Sequence, residues 1–153
     1  MRGGEHLTFV IGTGHGTCTC QGAAFEYVFN VEFELRKAGV RDHAKIVFLT
    51  NEAELGDFGV DGMQLKAGGF VVPGKLFAES LFAERGIEWI TGAHVKAVEP
   101  GVVNYETLDG ETSSLAFDFA MLLPPFNSRE RRSARSIARE PTSRASSSRP
   151  AAS

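Results

Sequence analysis

The sequence predicts an α/β domain of the Rossmann-like, three-layer, nucleotide-binding type that also carries a small antiparallel β-meander. An apolar segment at residues 6–11 leads directly into a glycine-rich turn and then into a long amphipathic segment. Apolar and helical segments then alternate, which is typical of βαβ units built on a parallel sheet. The last part of the predicted domain contains short strand-like segments separated by turn signals, and these indicate the meander.

The elements can be assigned in chain order from apolar spacing and from residues that end helices. The first strand, at 6–11, precedes a helix from about 22 to 38, which Gly39 ends because glycine readily adopts the left-handed conformation beyond a helix. The remaining predictions are a second strand at 45–50, an acidic loop at 51–62, a helix at 75–85, a strand at 87–90, and meander strands at 95–99, 102–108 and 115–123.

The first predicted helix carries two apolar stripes instead of one. The first stripe is Ala24, Val28, Val31 and Leu35, and the second is Phe25, Phe29 and Phe33. Together they cover about half of the helix circumference, more than a helix needs in order to cover one sheet. We therefore expect this helix to be buried on two sides, with a further domain as one candidate for the second cover. Aromatic residues elsewhere are expected in the core: Phe77, Phe82 and Trp89.

The net charge of −3 is the sum over an acidic part and a basic part of the chain. Residues 127–153 hold seven arginines, two glutamates and eight serines, with no aromatic residue. Such a segment cannot bury enough apolar surface to offset its ordering entropy, so we expect a domain at 6–126 and a disordered tail at 127–153. A basic tail is one way to bind an acidic partner, but without an aromatic residue for base stacking we expect no nucleic-acid partner.

The glycine-rich turn has two interpretations. Gly12, Gly14 and Gly16 permit the close backbone approach that a pyrophosphate at a helix N-terminus requires, but they also suit a turn that needs glycine for geometry alone. The acid that binds a ribose hydroxyl is usually about 20 residues beyond the glycines. Glu52 and Glu54, which follow the second strand, come much farther along the chain. NAD(P) binding is therefore an open alternative.

Two cysteines lie in the turn where the first helix begins, Cys18 and Cys20. Separated by one residue, they cannot form a disulfide framework, and they are typical of intracellular thiols. Backbone N–H groups and the helix dipole favour a thiolate at this position. A thiolate can attack sulfur electrophiles, accept sulfide as a persulfide or pass electrons to a flavin, and Cys20 is the preferred candidate. Small thiols also pack well at tight turns, which needs no function.

A carboxylate follows the cysteines within the first turns of the helix. Glu26 lies six residues beyond Cys20 and could relay protons for a thiol or a reduced flavin, although a solvated charge favoured by the dipole explains it equally well. His15 on the turn could do similar work. No second ligand pair at zinc spacing accompanies the cysteines, so we predict no metal site.

The segment 20–27, Cys-Gln-Gly-Ala-Ala-Phe-Glu-Tyr, resembles the sulfide:quinone oxidoreductase and flavocytochrome c sulfide dehydrogenase group. This group belongs to the FAD-dependent pyridine nucleotide-disulfide oxidoreductases. The segments at 51–59, 77–81 and 117–126 are similar to the same group, so the resemblance covers about residues 6–126.

The resemblance implies a flavoprotein that oxidises sulfide at a redox cysteine, carries sulfane sulfur and reduces quinone at the membrane surface. Cys20 matches the position of one redox cysteine of the group, and Glu26 matches an acid involved in proton transfer. Members of the group also have an FAD-binding domain, a second redox cysteine and a membrane-contacting region, and none of these matches a segment of this sequence. The chain is therefore expected to be a central fragment, inactive alone, with FAD held mainly by a domain absent from it.

The resemblance also implies where the intact enzyme acts and what it contacts. We expect a cytoplasmic protein, or one peripheral to the membrane through regions absent here, and homo-oligomers are compatible with it. Two alternatives remain. One is a free-standing NAD(P)-binding reductase module, which the glycine turn favours. The other is a non-catalytic fragment whose basic tail, at 127–153, binds an acidic partner.

Overall fold

The computed structural model describes residues 6–14, 20–58, 60 and 62–124. The predicted tail at 127–153 lies outside them. The described elements, in chain order, are β1 (Leu7–Thr13), α1 (Gln21–Lys37), a 3₁₀ turn (Arg41–His43), β2 (Ala44–Leu49), β3 (Gln64–Ala67), β4 (Phe70–Pro73), α2 (Gly74–Glu84), β5 (Ile87–Ile90), β6 (His94–Glu99), β7 (Val102–Glu106), β8 (Thr112–Ala116) and β9 (Phe119–Leu123).

Four strands form the main sheet in the order β5-β2-β1-β9, and every neighbouring pair is parallel. This is the strand order of the first four strands of a doubly wound nucleotide-binding sheet, in which the order reverses between the first and the fourth strand. Here that reversal lies between β1 and β9. The α/β, Rossmann-like prediction is confirmed.

Both faces of the main sheet are covered, which gives the molecule three layers. On one face Ile11, Ile46 and Phe48 pack with the buried faces of α1 and α2. On the other face Val10 and Leu49 pack with residues of the β6-β7-β8 meander. A parallel sheet buried on both faces needs nearly continuous apolar strands, and β2 follows this rule, with five of its six residues buried.

α1 ends as the sequence predicts. Gly39 has φ +70°, its N–H donates to Arg36 O at 3.0 Å, and the N–H of Val40 donates to Leu35 O at 3.0 Å. These two bonds are those of a Schellman cap, which satisfies carbonyls that have no partner within the helix.

The second stripe of α1 is covered by this chain itself. Phe25 and Phe29 both contact Phe82 of α2, with ring centroids 5.2 Å apart in each pair. No further domain is needed to explain their burial. Phe33, the third residue of the stripe, remains 59% exposed. Of the residues expected in the core, Phe82 is fully buried and Trp89 packs against it, but the prediction for Phe77 is wrong, because its side chain is 43% exposed.

The strand predicted at 115–123 is two strands with different partners. β8 pairs antiparallel with β7 in the meander, whereas β9 pairs parallel with β1 in the main sheet. The break occurs at Asp118, whose backbone N–H donates to Thr8 O at 2.9 Å and whose Oδ2 accepts from Thr8 N at 2.8 Å. These bonds hold Asp118 beside the start of β1, so that β9, which follows it, joins the parallel sheet.

A hairpin that the sequence analysis does not predict joins the loop after β2 to α2. β3 and β4 pair antiparallel across Gly68 and Gly69, which have φ values of +59° and +85°. Positive φ at both central residues is the requirement of the type I′ turn, for which Gly-Gly is a known signal. The strands are only four residues long, too short for alternation to stand out.

Candidate functional site

The reversal of strand order between β1 and β9 marks the edge at which doubly wound sheets bind their ligands. At this edge the backbone N–H of Gly14 donates to Leu123 O at 2.8 Å. The pairing of β1 with β9 therefore continues one residue past the end of β1. The N–H of Gly14 is consequently used within the sheet and does not point at a ligand.

The described glycines of the turn are required by the sheet itself. A Cβ atom added to Gly12 would lie 1.8 Å from Leu49 O, and one added to Gly14 would lie 2.8 Å from Leu123 O. Both distances are far below a normal contact, so neighbouring backbone excludes a side chain at either position. This geometry supports the interpretation in which glycine serves the turn. Gly16 lies outside the described residues, as do His15 and Cys18.

Cys20 occupies the N-cap position, immediately before the first residue of α1. Its φ and ψ values of −160° and 87° are non-helical, and its carbonyl accepts from Ala23 N at 3.1 Å. The side chain makes no capping hydrogen bond, and the residue is exposed. The thiol is therefore open to reagents in solution, close to the N–H groups at the helix start.

Glu26 lies on α1 and is exposed. Residues two positions apart are separated by about 200° on an α-helix, so Glu26 faces away from the buried Ala24 and Val28. In the part of the chain that the structure describes, no hydrogen bond or ion pair joins Glu26 to Cys20. The two predicted residues share one helix end, and their cooperation stays a prediction.

A buried polar network lies at the carboxyl ends of β1 and β2, and the sequence analysis does not predict it. Thr13, the last residue of β1, is fully buried, with its Oγ1 3.1 Å from Thr50 Oγ1 and 2.9 Å from Asn51 Oδ1. The hydroxyl of Thr50 donates to Glu52 Oε2 at 2.9 Å. The other oxygen of Glu52, Oε1, accepts from the backbone N–H of Phe58.

The burial and hydrogen bonds of Glu52 restrict the roles that its side chain can have. The side chain is only 6% exposed, and burial raises the pKa of its carboxyl above the ordinary value of 4.5. Hydrogen bonds from Thr50 and Phe58 oppose this rise, and the nearby charge of Asp57 adds to it. With both oxygens engaged inside the protein, Glu52 does not reach a ribose hydroxyl. Glu54 points outward and pairs with Lys75 at 3.1 Å.

The described residues form neither a metal-binding cluster nor a membrane-spanning helix. No group of three or more His, Cys, Asp or Glu residues there is arranged to hold a metal ion. No helix in the same residues is both long and apolar enough to cross a membrane.

Comparisons with known proteins identify relatives of the chain. No family model matches it. It is 40% identical over 121 residues to the sulfide-quinone reductase of Aquifex aeolicus (strain VF5), covering 79% of this chain and 26% of that protein. The crystal structure of the sulfide:quinone oxidoreductase from the same bacterium superposes with a TM-score of 0.65 and 36% identity, over 84% of this chain and 27% of the other.

A more distant structure shares the fold alone. A pyridine nucleotide-disulfide family oxidoreductase from Enterococcus faecalis V583 superposes with a TM-score of 0.50 at 14% identity, covering 76% of this chain and 22% of that one. The chain thus spans about a quarter of the length of the relatives it matches. By sequence and by fold, the chain is a relative of sulfide:quinone oxidoreductase and corresponds to a segment of a flavoprotein oxidoreductase of that kind.

Proposed function

We propose that the chain is the segment of a sulfide:quinone oxidoreductase-like enzyme that presents a sulfide-oxidising thiol, and that Cys20 is this thiol. The observation that carries the proposal is the placement of Cys20, exposed at the start of α1 beyond the carboxyl end of β1. This edge of the sheet is where such folds present their functional groups. The relationship to sulfide-quinone reductase supplies the substrate class.

The chemistry assigned to Cys20 is sulfur uptake. Its thiolate attacks the sulfane sulfur of a hydrodisulfide ion, a new S–S bond forms on Cys20, the S–S bond of the donor breaks, and hydrosulfide leaves with the electron pair. This exchange needs no oxidant. With sulfide itself as substrate, two electrons must leave as the persulfide forms, so the intact enzyme would need a two-electron acceptor, which is the chemistry that FAD would supply. Glu26 is proposed to take up the proton that the Cys20 thiol loses as it becomes the attacking thiolate.

The described residues do not fit a dinucleotide pyrophosphate at the glycine turn. The N–H of Gly14 already donates to Leu123 O, and Leu49 O lies where a side chain of residue 12 would begin, so the sheet itself accounts for both glycines. We therefore propose that FAD is held mainly outside this chain. The same geometry disfavours the alternative NAD(P)-binding module, and the engaged carboxylate of Glu52 removes its ribose-binding acid.

Sulfur transfer to the purified chain tests the assignment of Cys20. We expect incubation with hydrodisulfide, followed by mass spectrometry of protease fragments, to show one added sulfur atom on the fragment that contains Cys20. Cys20→Ser abolishes this gain because it removes the attacking sulfur. Cys18→Ser is the matched control, two residues away, and keeps it. Uptake at the wild-type level in Cys20→Ser would refute the proposal.

A further inference from the structure

The network around Glu52 is a buried feature that the proposed chemistry leaves without a role. The carboxylate lies among polar groups of this chain, with one oxygen bonded to Thr50 and the other to Phe58. Because both oxygens are engaged and the side chain is 6% exposed, Glu52 does not contact a substrate. Any role it has must come from the parts of the backbone that it holds in place.

One arm of the network holds the end of β1. The hydroxyl of Thr50 lies 3.1 Å from that of Thr13, and the backbone N–H of Asn51 donates to Thr13 Oγ1 at 3.3 Å. Thr13 immediately precedes Gly14, from which the chain leaves the sheet towards Cys20. The network therefore fixes the departure point of the segment that carries the thiol.

The other arm holds the start of α1. Phe58 has φ +52°, a value that costs an aromatic residue free energy, and the bond from its N–H to Glu52 stabilises this backbone. Its ring packs edge-on against Phe25 at 5.1 Å. Phe25 lies five residues beyond Cys20, and its ring also contacts Phe82 at 5.2 Å. A displacement of Phe58 would consequently loosen the first turns of α1.

We propose that Glu52, acting through Thr50 and Phe58, is a positioning residue that sets the reactivity of Cys20. One buried carboxylate joins the two ends of the connection between β1 and α1. This inference rests on the proposed function, in which Cys20 is the reacting thiol. The positioning role is physically distinct from sulfur uptake, because it concerns how firmly the first turns of α1 are held next to Cys20.

The test measures alkylation of Cys20 by iodoacetamide in the full chain carrying Cys18→Ser, so that one thiol remains. We expect Glu52→Ala to slow alkylation at about pH 7 by roughly two- to fivefold, because a frayed helix start no longer presents its N–H groups to the thiolate. Glu54→Ala is the matched control. It removes an acid from the same loop, but its carboxylate is exposed and paired with Lys75, so the rate stays unchanged.

Two further measurements separate positioning from a general loss of stability. Thr50→Val replaces the hydroxyl with a methyl group and should slow alkylation as Glu52→Ala does. Thr50→Ser keeps the hydroxyl and should be alkylated at the wild-type rate. In Glu52→Ala, the rate of hydrogen exchange should rise roughly tenfold at the amides of Ala24 to Val28. It should change little near Lys37, at the other end of the helix.

Three outcomes would overturn the inference. They are an unchanged alkylation rate in folded Glu52→Ala, an equal effect of Glu54→Ala, and loss of cooperative folding in both Glu52→Ala and Thr50→Val, which would assign the network to global stability. The readout uses no sulfur donor. An alkylation rate unchanged by Glu52→Ala, together with normal sulfur uptake at Cys20, would refute the positioning role and leave the proposed function standing. A slowed alkylation rate, together with no sulfur uptake at Cys20, would refute the proposed function and leave the positioning role standing.

Discussion

At the scale of single residues, the chemistry of this chain is divided between an exposed thiol and a buried acid. Cys20 is open to solvent, whereas Glu52 is enclosed by Thr50 and the loop that ends at Phe58. The Thr-Asn-Glu sequence that follows β2 marks where the acid lies along the chain, but not which way its side chain points. From the sequence alone, Glu52 is a candidate for binding a ribose hydroxyl, because an acid after the second strand often has that role.

The raised pKa of Glu52 makes a prediction about stability and pH. An acid whose pKa is raised in the folded protein stabilises the fold below its ordinary value of 4.5, and this contribution is lost as the pH rises through the folded value. We therefore expect the stability of the wild type relative to Glu52→Gln to fall as the pH rises from below 4.5 to above it. Urea melts of both proteins across this range measure it, and a constant difference would contradict it.

The proton role of Glu26 makes a second prediction. Glu26→Gln should slow sulfur uptake by Cys20 roughly tenfold or more while leaving the melting temperature unchanged, because an exposed carboxylate contributes little to stability. Glu34→Gln is the matched control on the exposed side of the same helix, where Glu34 pairs with Lys37 at 3.4 Å. Equal rates for Glu26→Gln and Glu34→Gln would remove Glu26 from the proposed chemistry.

At the scale of elements, β1 and β2 approach so closely at Gly12 that the sheet accepts no side chain there. Gly12→Ala should destabilise the chain by about 3 kcal/mol or more, since backbone must move to relieve the overlap. Gly22→Ala is the control, because its added Cβ meets nothing within 4 Å and alanine favours the helix by about 0.5–1 kcal/mol. Denaturant melts compare the two, and equal effects would contradict this account.

The two helices meet through aromatic rings, and this contact makes another prediction. Phe82 is fully buried and its ring contacts those of Phe25, Phe29, Phe48 and Trp89. Phe82→Ala should cost about 3–5 kcal/mol of unfolding free energy. Phe33→Ala, which truncates the same residue type at a position that is 59% exposed, should change it by less than about 0.5 kcal/mol. A similar loss in both variants would show that α2 does not anchor α1.

At the scale of the whole molecule, the sequence is enough to predict the class of fold and most of the elements. Short apolar runs identify β1, β2 and β5, and the segments between them are identified as α1 and α2 by apolar spacing and by the glycines that end them. The partner of β9 is not predictable in this way. Asp118 is the one charged residue between Leu115 and Leu123, and only its pairing with Thr8 in the folded protein shows that the chain changes sheets there.

The candidate site is predictable only in part, for the same reason. Cys20 is a candidate from the sequence alone because its neighbours along the chain resemble a known segment. The network brings Thr13 next to Thr50, which lies 37 positions farther along the chain, and only the folded sheet makes the two neighbours. The structural requirement for Gly12 likewise comes from Leu49 on the adjacent strand, which no local pattern reveals.

The place of β9 in the sheet makes a prediction about truncation. Removing residues 119–153 deletes β9 and leaves one edge of β1 unpaired, so we expect this variant to lose its cooperative thermal transition. Removing only 127–153 keeps β9 and should leave the transition unchanged. Circular dichroism melts of the two truncations decide between these expectations. Loss of the transition in the shorter deletion would assign a structural role to the basic tail.

The bond between Thr8 and Asp118 also sets an order of events during synthesis. It joins residues 110 positions apart, and β1 receives its second neighbour only when β9 has been made. A ribosome hides the most recent part of a chain, so β1 must leave the exit tunnel long before its partner strand follows. Pairing between such distant segments is slow and leaves apolar strands unprotected while they wait. The nascent chain is therefore expected to depend on chaperones until β9 is free to pair.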